Sequence, residues 1–357
     1  MEYETEFQTG ILTPERLKPL QPFLDDERIT DIDWNGCELW VNTVTNESYM
    51  IDSKEHDVTE QYVETLCAHI ANSKHTNLNS ENNYIRVESE DLHLRITAID
   101  KSIAVLGNTL CLRKTTTEPR YTYSDLIETG YITEKLLDLL INCIIAGCNV
   151  VICGIPEAGK TEFGKYLSQY IPKNQKTVSI EDPLEWYYSK LNPGASCISL
   201  RVKKNFTYSD AISLCMTLNP KRIIIPEVKS VEAKELVELW HTGVPGITTA
   251  HTDDARKIPK RLLDMMPTRL DAERLENNIY EDLDIGILIN KRKNISGEVN
   301  RYVEQICFYD RVDGKNYVLP YYMDGMIVEE TLPQKILKHL ERELIADPYA
   351  LDSLKRK

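Results

Sequence analysis

The sequence predicts an α/β fold, in which a domain with a mostly parallel sheet follows a small α+β domain. Three observations carry this. The apolar run Asn149-Val150-Val151-Ile152-Cys153 leads through a glycine loop into Phe163, Tyr166, Leu167 and Tyr170, which recur at helical spacing. Strand-like and helix-like segments alternate from Leu136 to Met265. Residues 29 to 113 instead mix short strands with one helix. At 357 residues the chain has room for two domains. We assign residues 1–114 to the first, 115–123 to a linker and 124–357 to the second.

Taken in order, residues 1–20 read as a polar lead-in. Leu39-Trp40-Val41 and Ser48-Tyr49-Met50-Ile51 read as two strands around a turn at Asn46. Val63, Leu66, Cys67, Ile70 and Ala71 mark an amphipathic helix. Leu94 to Ile99 and Leu110 to Arg113 are two more strands, so the first domain holds a small sheet. Thr115 to Tyr123 is polar, contains Pro119, and is the expected linker. Leu136 to Ala146 is a helix stopped by Gly147. Lys176 to Ile180 is a strand ending in Glu181-Asp182-Pro183. Helix Tyr208 to Leu218, strand Arg222 to Ile225, helix Val231 to His241, strand Gly246 to His251 and helix Ala255 to Met265 complete the alternation. Leu283 to Ile289, Arg301 to Tyr309 and Tyr317 to Tyr322 are added strands, and a charged helix spans Pro333 to about Ile345.

Bulk numbers narrow the function classes. Hydrophobic residues at 42% and charged residues at 27% give an ordinary soluble composition. A formal net charge of −14 argues against broad binding to nucleic acid or to an anionic membrane. No apolar run approaches the roughly eighteen residues a membrane span needs, and the acidic start, Met1 to Glu6, is unlike a signal peptide. The nine cysteines form no C-x-x-C pair, which suits reduced, packed side chains in a cytoplasm better than zinc or disulfides.

Gly154, Ile155, Pro156, Glu157, Ala158, Gly159, Lys160 and Thr161 read G-x-x-x-x-G-K-T between a strand and a helix, the context a phosphate-binding loop requires. Its N–H groups form an anion nest, and the helix from Thr161 on adds its positive end, so Glu162 joins residues 154–161 as an expected nucleotide-binding residue. Lys160 would reach the β- and γ-phosphates, and the Thr161 hydroxyl would hold magnesium. The expected ligands are therefore ATP and Mg2+. Reacting groups in open parallel sheets gather at the carboxyl ends of strands, where Glu181, Glu227 and His251 all fall.

Four ordered segments resemble the ATPases of type II and type IV secretion systems, nearest the CpaF-like branch of conjugation and Tad-pilus traffic ATPases. They are the phosphate loop; Ser179-Ile180-Glu181-Asp182-Pro183-Leu184-Glu185, similar to the acidic box; Leu218 to Val228 with Glu232-Ala233, similar to the Walker B region; and Thr242-Gly243, Thr248 to His251, Ala255 and Arg261-Leu262, similar to the histidine box. Leu94 to Ile99 and Leu110 to Lys114 look like the arginine-bearing strands of the family's N-terminal domain, and Arg301 to Ile306 extends the likeness C-terminally.

This resemblance implies a RecA-like P-loop ATPase domain and a cytoplasmic ring, a hexamer, at the inner face of the membrane. It also implies a membrane-embedded secretion or pilus platform as partner, with no direct nucleic-acid binding. Glu227 and Glu181 are the expected catalytic carboxylates; Glu227 could instead cap a helix, Glu181 could share the task or hold a water, and Asp182 before Pro183 could cap a turn. His251 is expected beside the γ-phosphate, with Lys160 supplying charge. Arg95 and Arg113 are expected near the nucleotide. The sequence departs from the family at four places. Pro226 replaces a glycine, Lys229 an arginine, Glu157 a small residue, and Asp253-Asp254 an Asn-Ser type pair. The function read from all this is an ATP-hydrolysing motor for conjugation. A Tad-pilus motor, a nucleotide-bound scaffold with little turnover and a small-molecule kinase are the alternatives.

Overall fold

The computed structural model describes residues 12–45, 47–230, 232–266, 271–293 and 299–357. The expected turn at Asn46, the helix start at Val231 and the first eleven residues lie outside these. Two compact units are present, one running to Thr116 and one starting at Thr117 and taking in residues 300–357.

The first unit is built on a six-stranded antiparallel sheet. Its strands are β1 (Ile29–Trp34), β2 (Leu39–Thr43), β3 (Ser48–Ile51), β4 (Tyr84–Ser89), β5 (Leu94–Ile99) and β6 (Thr109–Lys114), in the order β3-β2-β1-β6-β5-β4. One face alternates inward, with Leu94, Ile96, Ala98, Leu110 and Leu112 all buried. Helix α1 (Glu60–Asn72), capped by Thr59, lays Val63, Leu66, Cys67 and Ile70 into the same core. Each such side chain contributes about 1.5–3 kcal/mol by leaving water. The polar lead-in is not wholly a tail. Leu17, Leu20 and Phe23, from short helices between Pro14 and Asp25, close this core.

The second unit carries a nine-stranded sheet made of β7 (Val150–Cys153), β8 (Thr177–Glu181), β9 (Cys197–Arg201), β10 (Arg222–Ile225), β11 (Gly246–Ala250), β12 (Ile285–Lys293), β13 (Val299–Val312), β14 (Lys315–Met323) and β15 (Met326–Ile327). The order is β15-β14-β13-β12-β7-β11-β10-β8-β9, and the strands from β12 through β7 to β9 are parallel. Parallel strands are covered on both faces, which is why β7, β8, β10 and β11 are buried at every position. Successive residues feed separate cores. Val150 and Ile152 join one, and Val151 and Cys153 the other.

Helices α2 (Tyr123–Glu128), α3 (Glu134–Ala146) and α4 (Lys160–Ser168) belong to the first of these cores. Helix α3 is buried without a break from Leu136 to Ile144, and Gly147 in the left-handed region ends it. Helices α5 (Tyr208–Leu218), α6 (Glu232–His241), α7 (Ile258–Met265) and α8 (Ala272–Asp282) belong to the second core, and α9 (Gln334–Arg342) returns to the first. All nine cysteines are free thiols. No helix among the described residues is long and apolar enough to cross a membrane.

Candidate active site

The carboxyl ends of β7, β10 and β11 bring the phosphate loop, Glu227 and His251 together. The loop spans residues 154–159, between β7 and α4. Gly154 sits at φ +152, and a Cβ there would lie 2.4 Å from the Ile289 carbonyl oxygen, so only glycine fits. Gly159, at φ +93, turns the chain into α4. Lys160 is buried, and its ammonium donates to the carbonyls of Gly154 (3.1 Å) and Ile155 (3.0 Å). Burial holds its pKa below the ordinary lysine value, while the Glu227 carboxylate pulls the other way. Thr161 follows on the first turn of α4.

The third partner of Lys160 is Nδ1 of His251, at 3.2 Å. On the other side of the ring, Nε2 lies 2.7 Å from Glu227 Oε1. An ammonium has only protons to offer, so Nδ1 must accept. The proton of a neutral His251 then sits on Nε2 and is donated to Glu227. Oε2 of Glu227 pairs with Lys229 Nζ at 3.1 Å. One chain of polar contacts thus runs Lys160–His251–Glu227–Lys229. Pro226 fits this turn because its segment is tied to β11 by other groups. The Pro226 carbonyl accepts from the Thr249 hydroxyl (2.7 Å), and the Val228 N–H donates to the Thr249 carbonyl (3.0 Å).

Glu181 closes the carboxyl end of β8, with its side chain turned into the fold. It is 1% exposed, and Oε2 accepts the N–H groups of Glu185 (2.9 Å) and Trp186 (2.7 Å). Burial pushes its pKa up against the pull of those donors. The Trp186 indole donates to Ser168 on α4 and packs against Gly164, where a Cβ would meet it at 2.4 Å. Glu181 therefore holds the chain after β8 against the helix that follows the phosphate loop. Sequence position alone does not reveal this, because the two N–H donors come from a fold-back of the backbone.

Glu157 lies at φ +62 with its carboxylate 63% exposed and 3.5 Å from Lys291 Nζ. Arg301 donates from Nε to the Glu157 carbonyl at 3.3 Å, and its Cδ lies against Gly159. The Glu162 side chain turns to Lys165 (3.0 Å) and Arg120 (3.7 Å), which leaves its backbone as the part able to face a phosphate. Arg95 and Arg113 sit opposite each other on β5 and β6 of the first unit, and Arg113 pairs with Asp31 at 2.6 Å. Sequence reasoning did not single out Lys291 and Arg301 as site residues. They come from strands more than a hundred residues away in sequence, and only the sheet order brings them to the loop.

A family model described as Type II/IV secretion system protein matches residues 70–284. Among curated relatives, an uncharacterized protein of Bacillus anthracis is 26% identical over 295 residues, covering 80% of this chain and 66% of that one. The conjugal transfer protein TrbB of Rhizobium radiobacter is 25% identical over 202 residues, covering 56% of this chain and 59% of that protein. The chain thus spans less than two thirds of the length of either relative. Of solved structures, the Legionella pneumophila ATPase DotB aligns at TM-score 0.60 with 14% identity, over 96% of this chain and 86% of that one. The pilus retraction motor PilT with bound ADP aligns at 0.53 with 15% identity, over 92% and 87%. These likenesses show a shared fold, the expected RecA-like α/β domain preceded by a smaller one. With more than half of its length matched by the family model, the chain belongs to the type II/IV secretion system proteins.

Proposed function

We propose that this chain is a magnesium-dependent ATPase, one subunit of a hexameric ring that drives a type IV secretion or conjugation apparatus at the inner face of the cell membrane. The observation that carries the reading is the unbroken contact from Lys160 through His251 to Glu227. It joins the loop that would grip the polyphosphate to the carboxylate that would address its last phosphorus. The similarity to a conjugal transfer protein favours conjugation over a Tad-type pilus as the setting.

Nucleotide entry would give Lys160 phosphate oxygens in place of two backbone carbonyls. His251 would then lose its Nδ1 donor, and its hold on Glu227 would be free to change. Glu227 would take a proton from the attacking water as the new P–O bond forms and the bond from the γ-phosphorus to the bridging oxygen breaks, leaving ADP with the electron pair. The donor set fits magnesium as a nucleotide-borne ion. That metal keeps waters and phosphate oxygens and needs few protein ligands, and the Thr161 hydroxyl would supply one. Bound there, it would neutralise developing phosphate charge. The segment 115–123 is the proposed hinge that passes phosphate release to the first unit.

A second reading, a nucleotide-bound scaffold with little turnover, is favoured by one observation. Both Glu227 oxygens are engaged, by His251 and by Lys229. Phosphate release separates the two. A motor shows steady release that falls about a hundredfold or more in Glu227→Gln. Release that is absent from the unsubstituted chain, or unchanged by the substitution, defeats the hydrolysis reading. ADP production that requires an added acceptor would make the protein a kinase.

A further inference from the structure

The phosphate loop carries its own anion. Glu157 occupies a left-handed backbone conformation that residues other than glycine rarely adopt. Its carboxylate meets Lys291 Nζ at 3.5 Å. The register explains why Lys291 is there. Strand β12 runs parallel to β7 with Leu288 beside Cys153, so Ile289 comes beside Gly154 and Lys291 projects past the loop. The backbone beneath it is fixed. Asn290 Oδ1 accepts the Lys291 N–H (2.8 Å), and Asn290 Nδ2 donates to Glu304 (3.0 Å). Arg301 adds a second cation against Gly159 and the Glu157 carbonyl. Two basic side chains from β12 and β13 therefore flank a loop whose amides already suit an anion.

We propose that Lys291 is a further binding residue for the nucleotide polyphosphate, and that Glu157 is its counter-ion until phosphate displaces it. This rests on the nucleotide reading above. A carboxylate beside a polyphosphate repels it, and a lysine released from that carboxylate supplies a compensating charge beside the loop. Glu157 thus opposes nucleotide binding, and Lys291 answers two anions in turn.

The test is equilibrium binding of a fluorescent, non-hydrolysable ATP analogue with magnesium to the full chain. Glu157→Gln should tighten binding about five- to tenfold by removing the competing charge. Lys291→Ala should weaken binding by at least about fivefold in the Glu157→Gln background, and by less in the unsubstituted chain, where the lost Glu157 pair offsets part of the cost. A lysine that merely shields Glu157 gives the reverse, an effect in the unsubstituted chain and none in the Glu157→Gln background. That reverse pattern, or binding by Glu157→Gln that stays within about twofold of the original, overturns the proposal. Glu157→Gly, which suits φ +62, serves as a second variant should the glutamine form fold poorly. Lys160→Ala marks the floor. Analogue binding no better than that floor in the unsubstituted chain sinks the nucleotide reading and this proposal with it.

Discussion

Lys160 is buried with its ammonium on two carbonyls and an imidazole, and on the proposed reading it is held there for a ligand at some expense of stability. Its folded pKa lies below the ordinary value of 10.5. The charged form is therefore disfavoured on folding at every pH below that lowered value, and the penalty fades as pH rises toward 10.5. Lys160→Met should raise the melting temperature of the ligand-free protein by about 1–3 °C at neutral pH. The gain should shrink at alkaline pH, and ATP should no longer stabilise the variant. A melting temperature that falls instead would mean that the lysine holds the loop together.

Glu181 has the opposite logic. Its two N–H donors are backbone groups, so Glu181→Ala should cost about 1–3 kcal/mol in denaturant unfolding by orphaning them. Glu181→Gln keeps an acceptor and removes the buried charge. Because the folded carboxyl pKa is raised, the native protein loses stability relative to the glutamine variant as pH rises above the ordinary carboxylate value of 4.5. The phosphate loop was legible in the sequence because glycine spacing is a local signal. The part played by Glu181 was not, since it depends on a turn that brings Trp186 back onto α4.

Legibility among the elements follows burial. β7, buried at all four positions, reads as a strand from composition alone. β1 and β4 have three and two fully buried residues, with Asp31, Asp33, Arg86 and Glu88 interleaved, so their periodicity is diluted. The edge strand β9 has none, and its apolar alternation is only two residues long, Ile198 and Leu200, both partly buried. α8 buries only Leu275, Asn278 and Ile279 among charged residues. The strand register that sets Lys291 beside Glu157 has no sequence signature at all.

A different element-scale feature is the segment after Asp347, which runs along α3. Asn142 Nδ2 donates to the carbonyls of Pro348 (3.0 Å) and Ala350 (3.2 Å), and Asp138 accepts the Leu351 N–H (3.0 Å) and the Tyr123 hydroxyl (2.6 Å). Tyr123 N–H, at the start of α2, donates to the Lys357 carbonyl (2.6 Å). Asp138 is thus the buried junction of three segments. Asp138→Ala should cost about 2–3 kcal/mol in urea unfolding and expose residues 347–357 to protease. An Asp138→Ala protein as stable and as protease-resistant as the original would show that the strap adds nothing.

At the scale of the whole molecule, charge and assembly pull against each other. A net charge of −14 on each subunit disfavours bringing copies together, most strongly at low ionic strength. A ring closes only where head-to-tail contacts outweigh that repulsion. A nucleotide that adds contacts at a subunit junction would tip the balance, because anything that binds the assembled state alone stabilises it by mass action. The expected mass is therefore salt- and nucleotide-dependent. Light scattering at moderate salt with magnesium and a non-hydrolysable ATP analogue should give six times the 41.1 kDa of the chain, with smaller species when the nucleotide is removed or the salt is lowered. Glu157→Gln, which binds nucleotide more tightly on the reading above, should reach the large species at lower analogue concentration. A chain that stays at 41.1 kDa in every one of these conditions would leave the ring, and the motor built on it, without support.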